Sequence, residues 1–226
     1  MRNSSAGRVT LVLLLTLLSA CVNTVNRRPG LASRSGPALP PTAAAIQRKL
    51  TEGARYVLGR RELVVRGRRF PYDCTGTVLA IYWYAGIDLA RDFIKYDGNG
   101  VNRLFRTLEK EQLLYSDAFP VAGDIVFWDN TYDRNGDGLW NDPLTHVGMV
   151  VNAEADGSIE YVHLNNTRGI VIEHMNLLQP DLHQRRVRGQ ARIFNSPIRL
   201  KEAGRPHPPQ WLAGQLYRVL GMGYLF

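Results

Sequence analysis

The first half of the chain carries apolar residues at helical spacing. Ile46, Leu50, Ala54 and Leu58 lie on one stripe of a predicted helix that Thr42 can cap. A second helix is predicted in "CTGTVLAIYWYAG", which ends at a glycine suited to a helix terminus. A third is predicted in "VNRLFRTLEKEQLL". Between the first and second, "RRELVVRGRRF" predicts a short strand or an ordered loop.

In the second half of the chain, the pattern of apolar residues changes from helical spacing to short runs of β-forming residues. Four short runs rich in β-formers, "DIVFW", "HVGMVV", "IEYVH" and "GIVIEH", are separated by turn residues and predict four strands. The chain closes on "QWLAGQLYRVL", which predicts an amphipathic helix. Helices first and strands later predict an α+β fold, with N-terminal helices packed on an antiparallel β-sheet.

The N-terminus has the pattern of an export signal. Arg2 and Arg8 precede an apolar run from Val9 to Leu18. This run is too short to span a bilayer. Its ending, "LSAC", resembles the lipobox of bacterial lipoproteins, in which the cysteine, here Cys21, becomes the lipidated N-terminus. An ordinary signal peptide with a chance cysteine is the alternative.

This pattern predicts three segments. Residues 1–20 are a lipoprotein signal peptide, residues 21–43 are a flexible tether rich in Pro, Ser, Gly and Arg, and residues 44–226 are the folded domain. Lipid chains at Cys21 would hold the protein on a membrane. Lipoproteins of the inner membrane often carry an aspartate after the cysteine, and here Val22 follows. The resemblance therefore predicts an outer-membrane anchor facing the periplasm.

The charge balance is basic, with a net charge of +8. No run of Lys and Arg is long enough for a nucleic-acid arm, and no helix-turn-helix or zinc-finger spacing is present. We therefore expect a solvated basic surface and no nucleic-acid partner.

Cys21 and Cys74 are the only cysteines of the sequence. If Cys21 carries lipid, Cys74 has no disulfide partner, which leaves a reactive thiol or an intermolecular link. Cys74 opens a predicted helix, where the free backbone N–H groups and the helix dipole favour a thiolate. The same N–H groups can hold an oxyanion.

A thiolate nucleophile needs an imidazole and a group that orients it. His146 begins one predicted strand and His163 ends the next, with "NAEADGS" between them. A loop centred on residues 154–155 sets the histidines directly opposite each other, whereas a turn at 156–157 sets them about two pair positions apart. Both registers put them on one face of the sheet, and a helix bearing Cys74 on that face would complete the site.

Two other interpretations of these histidines stay open. Each one can be a structural residue of its strand. Cys74, His146 and His163 also have the right chemistry for a metal site, although short ligand spacing is absent. His174 is the substitute if His163 does not orient the base.

Four stretches together resemble a known family. "YDCTGTVLAIYWYAGIDLAR", "PVAGDIVFWDN", "THVGMVVN" and "YVHLNNTRGIVI" are similar, in order, to the signatures of NlpC-type cell-wall peptidases and the related CHAP amidases, which are papain-like cysteine hydrolases. The resemblance covers residues 44–195. It implies a papain-like NlpC/CHAP fold with Cys74 as nucleophile, His146 as general base and His163 as the orienting residue.

The resemblance also implies the substrate, which is the peptide part of peptidoglycan. A D,L-endopeptidase and an N-acetylmuramoyl-L-alanine amidase both stay open. The usual lead-in before the nucleophile is replaced by "RRELVVRGRRFPYDC", so Tyr72 is only a candidate for the oxyanion hole. The resemblance makes Tyr72, Asp73 and Thr75 the candidate substrate-binding residues. Thr75 stands where serine is commoner, and Asp73 either binds a substrate amine or caps the helix.

The stretch "DNTYDRNGDGLWNDPLTH" has the spacing of a calcium loop. Asp133, Asn135 and Asp137 fall at the first, third and fifth positions, and a glycine follows. The glutamate of the twelfth position is missing, so Asp142 or Asp129 would have to supply a carboxylate. A polar turn whose side chains bond their own backbone is the alternative.

These patterns favour a lipid-anchored, monomeric peptidoglycan hydrolase that needs no cofactor for its chemistry and carries at most a structural calcium ion. Two alternatives remain. One is a non-catalytic envelope lipoprotein that binds peptidoglycan. The other is the same fold acting as an acyltransferase or a deamidase.

Overall fold

Three α-helices form where helical periodicity predicts them. The computed structural model describes residues 41–199 and 208–226. In it, α1 spans Pro41–Val57, α2 spans Cys74–Ala85 and α3 spans Gly100–Lys110. Gly86 ends α2 in the left-handed conformation, with φ of 92°, which a glycine adopts without strain. A hairpin of β1 (Leu63–Val65) and β2 (Arg68–Phe70) lies between α1 and α2.

The remaining strands build one antiparallel sheet and a separate hairpin. The sheet contains β3 (Leu114–Tyr115), β4 (Ile125–Trp128), β5 (His146–Ala153), β6 (Ser158–Asn165), β7 (Gly169–Asn176) and β10 (Tyr217–Gly221). Its six strands follow the order β3-β10-β4-β5-β6-β7. The four strands predicted from alternation are its β4 to β7. The hairpin consists of β8 (Gln184–Val187) and β9 (Gln190–Ile193).

The two faces of the sheet have different covers. Val147, Met149 and Val162 pack in one apolar cluster with residues of α1, α2 and α3. Trp128 and Tyr161 belong to a second cluster, which the segment around residues 212–216 covers. The Trp128 indole Nε1–H donates to the Ala213 carbonyl at 2.9 Å across this second layer. The predicted α+β architecture, with helices packed on an antiparallel sheet, is confirmed.

The predicted C-terminal helix is wrong. Residues 217–221 instead form β10, which pairs with β3 on one side and with β4 on the other. Leu212, Leu216 and Leu220 have helical spacing, but Leu216 and Leu220 are buried in the second cluster from a bend and a strand, respectively. Pairing with two neighbouring strands therefore decides the conformation of this segment over local propensity. No helix within the described ranges is long and apolar enough to cross a membrane.

Candidate active site

The segment "YDCTGT" starts α2 with a side-chain cap. Asp73 is extended, and its Oδ1 accepts a hydrogen bond from the Gly76 N–H at 2.6 Å. A Cβ at Gly76 would lie 2.0 Å from the Pro71 carbonyl oxygen, so only glycine fits this turn. Cys74 is consequently held as the first residue of the helix. The interpretation of Asp73 as a helix cap is confirmed.

The environment of the Cys74 thiol favours its neutral form. Burial, and after it the charge of Asp73, raises the pKa of Cys74 to about 11. Smaller opposing contributions come from hydrogen bonds with Thr75 and with the backbone of Val147. The prediction that the helix start gives a resting thiolate is therefore wrong, and Cys74 would need a base to act as a nucleophile.

The two predicted histidines lie on one face of the sheet, as predicted. Neither predicted register is right, because β5 and β6 pair with Met149 opposite Val162 and with an irregularity after Val150. His163 thus lies beside Gly148 rather than opposite His146. A Cβ at Gly148 would lie 3.2 Å from His163 Cβ and 2.9 Å from the Val162 carbonyl oxygen, so the glycine makes room for the imidazole.

The helix that carries Cys74 packs on the other face of the sheet from the histidines, which corrects the sequence interpretation. Val147 and Val162 contact the helix layer. His146 and His163 alternate with these valines along their strands. The two imidazole rings lie against Trp128 and Tyr161 of the second cluster, on the other face of the sheet. Cys74 and His146 nevertheless line one cavity, since His146 is the first residue of β5 and the thiol contacts the backbone of Val147 at this strand end.

The two imidazoles form a direct pair. His146 Nε2 lies 2.8 Å from His163 Nδ1, and the rings are nearly perpendicular, at 88°. Burial lowers the pKa of His163 to about 3, and the charge of Arg168 contributes to the shift. Burial also lowers the pKa of His146 well below its usual value, with the charge of His163 adding to the effect. Both rings are therefore neutral at pH 7.

Sequence reasoning missed Glu173, which lies beyond His163. Glu173 and His163 are each 2% exposed, and Glu173 Oε2 lies 3.2 Å from His163 Nε2. The signal was present in the sequence. A tight turn between Asn165 and Gly169 places Glu173 opposite Tyr161 and on the face of His163. His174, the proposed substitute, pairs with Glu160 in the register and points away from this face.

Cys74, His146 and His163 line one cavity. It has a volume of about 420 Å³. Its walls are formed by Tyr72, Asp73, Cys74, Thr131, Tyr132, Thr145, His146, His163, Leu164, Asn165, Asn166 and Ile198. The structure does not bring Thr75 into this cavity, because its buried side chain packs against Gly100 at the start of α3.

Two tyrosines line the cavity. Tyr72 was a candidate from the sequence, whereas Tyr132 was not singled out there. The Tyr72 hydroxyl points at the β6–β7 turn, since a Cβ at Gly169 would lie 2.9 Å from it. Tyr132 lines the same cavity. Burial raises the pKa of the Tyr132 phenol, and a thiolate at Cys74 would add to that shift.

The predicted calcium loop is held by its own backbone. Asp133 accepts from the Gly136 and Gly138 N–H groups at 2.7 and 2.8 Å. Asn135 and Asp137 make similar contacts within the loop. Asp142 is buried and accepts from the Arg134 N–H at 3.1 Å.

Metal-binding clusters are absent from the part of the chain that the structure describes, where no three side chains of His, Cys, Asp or Glu are grouped to hold an ion. The alternative metal site formed by Cys74, His146 and His163 is therefore not supported within the described residues. Calcium binding by the 133–142 loop, which also uses an asparagine, stays a prediction.

Comparison with known proteins gives one match. Residues 65–165 match the family model of the CHAP domain. The matched segment includes Cys74, His146 and His163, whereas Glu173 lies beyond it. No curated protein and no solved structure shows a significant match to the chain.

Proposed function

We propose, on the premise that residues 65–165 form a CHAP domain, that this protein cleaves amide bonds in the peptide stem of peptidoglycan. CHAP domains are typically hydrolases that act on peptidoglycan, which supplies the substrate class. One observation supports the cysteine mechanism most directly. Cys74, at a helix start, shares a cavity with a histidine pair separated by 2.8 Å. A nucleophile, a base and an orienting group are the parts that covalent acyl transfer requires.

The chemical steps follow from the neutral resting state of the site. As Sγ of Cys74 attacks the amide carbon, His146 takes the thiol proton, and a C–S bond forms. The tetrahedral oxyanion collapses, the C–N bond breaks, and the imidazolium returns the proton to the leaving amine. Water then attacks the thioester, with His146 again as base, which releases the carboxylate and restores the thiol.

The oxyanion needs donors near Cys74. The N–H groups of Gly76 and Thr77 are engaged by Asp73, so the amides of Cys74 and Thr75 are the first-turn donors nearest the sulfur. We propose Tyr132 as the side-chain donor in the role considered for Tyr72. Tyr132 lines the same cavity as Cys74.

Product analysis of digested sacculi tests the proposal. Purified sacculi are incubated with the mature protein and with its Cys74→Ala variant, and the soluble products are read by mass spectrometry. A D,L-endopeptidase releases truncated peptides, whereas an N-acetylmuramoyl-L-alanine amidase releases intact stems and bare glycan. Both activities should disappear in Cys74→Ala.

Three results would argue for other functions. If the wild type binds sacculi without new products, the non-catalytic envelope lipoprotein is favoured. Products joined to an added amine, in place of hydrolysis products, would favour an acyltransferase. Release of ammonia alone would favour a deamidase. Activity that survives Cys74→Ala would contradict the nucleophile assignment.

We further propose a lipid anchor at Cys21 that places the domain at the outer membrane, facing the peptidoglycan. Cys21 lies outside the described residues, so this proposal is supported by the "LSAC" motif and the preceding apolar run. Cys21→Ser should leave the protein without lipid, and the protein should no longer appear in the membrane fraction. Fractionation together with mass spectrometry of the N-terminal peptide measures both changes.

Calcium is a separate proposal for the 133–142 loop, with Asp133, Asn135, Asp137 and Asp142 as ligands. Binding would require Asp142 to leave its buried contact with Arg134. Titration of the chelator-treated protein with calcium in a calorimeter tests it, with Asp137→Asn as the variant expected to weaken binding. Absence of heat at millimolar calcium would contradict it.

A further inference from the structure

We propose that Glu173 is the positioning residue that fixes which ring nitrogen of His146 receives the thiol proton. This inference rests on the proposed function above, because it assigns a role within the same reaction. Glu173 does not line the cavity and would act through His163.

The carboxylate of Glu173 is buried among hydrogen-bond donors. Its Oε1 accepts from Asn165 Nδ2 at 3.3 Å and pairs with the guanidinium of Arg168. Its Oε2 accepts from the Tyr161 hydroxyl at 3.3 Å and faces His163 Nε2 at 3.2 Å. A buried carboxylate with a cation and two neutral donors is stabilised in its ionised form, which can only accept hydrogen bonds.

This acceptor determines the tautomer of His163. The contact of His163 Nε2 with Glu173 is not aligned as a full hydrogen bond, and this buried nitrogen makes no other hydrogen bond within the described structure. An N–H at Nε2 faces the negative carboxylate favourably, whereas a lone pair there would be repelled by it. His163 therefore carries its proton on Nε2, and its Nδ1 is an acceptor.

The consequence passes to His146 through the 2.8 Å contact between the two rings. An accepting Nδ1 on His163 requires a donating Nε2–H on His146. Neutral imidazole has one N–H, so His146 Nδ1 keeps its lone pair and can take a proton from Cys74. In the reversed arrangement His146 would carry its proton on Nδ1 and would not be a base for the thiol.

Glu173→Gln tests the inference, because the neighbours of the side chain dictate how the new amide sits. Asn165 and Arg168 donate at the Oε1 position, so the glutamine oxygen is held there. The amide NH₂ then faces His163 Nε2 and favours the reversed tautomer. We expect kcat to fall on the order of 100-fold or more, with KM changed by less than about threefold.

Glu160→Gln is the matched control. It makes the same chemical change on β6, at a position that pairs with His174 and lies on the other face of the sheet. We expect its kcat to stay at the wild-type value. If Glu173→Gln retains wild-type kcat, or if Glu160→Gln loses as much, Glu173 is not a positioning residue.

Nitrogen-15 NMR of the histidine rings gives a readout that does not depend on activity. The wild type should show protonated Nε2 on both His146 and His163, and Glu173→Gln should show protonated Nδ1 on both. A wild type with these tautomers but no activity on sacculi would refute the proposed function while retaining the hydrogen-bond assignment. Wild-type rings protonated on Nδ1 would overturn the inference directly.

Arg168→Gln provides a second variant if Glu173→Gln does not fold. The Arg168 side chain is 58% exposed, so its replacement should be tolerated, but it removes the cation beside Glu173. We expect kcat to fall, because the carboxylate opposite His163 loses the cation that stabilises it. An unchanged kcat would contradict a role for the ionised carboxylate.

Discussion

Asp124 makes stability depend on pH in an unusual direction. It precedes β4, is 0% exposed and accepts from the Val121 N–H at 2.7 Å and the Tyr115 hydroxyl at 2.5 Å. Its second oxygen, Oδ1, has no partner within the described structure. Burial raises the pKa of Asp124 to about 6 in spite of these two donors, from 3.8 for a free side chain.

The direction and size of the effect follow from this shift. The folded state holds the proton more tightly than the unfolded state, so the stabilisation is complete below pH 4 and is lost as pH rises through about 6. A shift of about two pKa units corresponds to about 3 kcal/mol. The wild type should therefore lose about 3 kcal/mol of unfolding free energy between pH 4 and pH 7 through this one group.

Urea denaturation of the wild type and Asp124→Asn at pH 4, 5, 6 and 7 measures this loss. Asparagine cannot ionise, so the difference in unfolding free energy between the two proteins should change by about 3 kcal/mol across the series, in favour of the variant at high pH. Asp97→Asn, at an exposed position, controls for the change in net charge. A constant difference between wild type and Asp124→Asn would refute the reasoning.

Three further substitutions have defined outcomes. Asp73→Asn keeps the helix cap but removes the charge that raises the pKa of Cys74. Iodoacetamide should therefore label Cys74 faster at pH 8 in the variant, and an unchanged rate would exclude that charge effect. Gly148→Ala should cost about 1–3 kcal/mol in urea denaturation and lower activity, because the new Cβ presses on His163, and a wild-type midpoint would show that the strands can adjust. Tyr82→Phe should cost about 1–3 kcal/mol, since it leaves the buried Gly123 carbonyl without the Tyr82 hydroxyl, and a loss below about 0.5 kcal/mol would mean that another donor replaces it.

The sequence was sufficient for α1 to α3, for β4 to β7 and for the shared face of the histidines. Helical and alternating periodicities are local properties, and each survives folding in α1 to α3 and in β4 to β7. Strand parity likewise put His146 and His163 on one face in both registers that were considered. These predictions depend on residues close in the chain, where few alternatives compete.

The predictions that failed depend on distant partners. Parity relates the two histidines to each other but does not say which face α2 covers. Residues 217–221 became a strand because β3 and β4 were both available to pair with it. The resting state of Cys74 was mistaken because desolvation outweighs the helix start, and the extent of burial depends on the whole fold.

Glu173 lies between these two cases. Its position on the face of His163 could have been counted from the turn at residues 165–169. Its ionised state could not, because that depends on Arg168, Tyr161 and Asn165 meeting around one carboxylate. Sequence spacing thus locates the acid, and only tertiary structure gives it a role.

Cys74 and His146 belong to different layers that meet at one end of β5. Their separation therefore measures how closely the helix layer docks on the sheet. A displacement of about 1 Å between layers is enough to lower a reaction rate on the order of 100-fold, while helices and strands stay intact. In mild denaturant, activity should disappear before the circular dichroism signal changes, so loss of turnover would be the most sensitive sign that the two layers have begun to part.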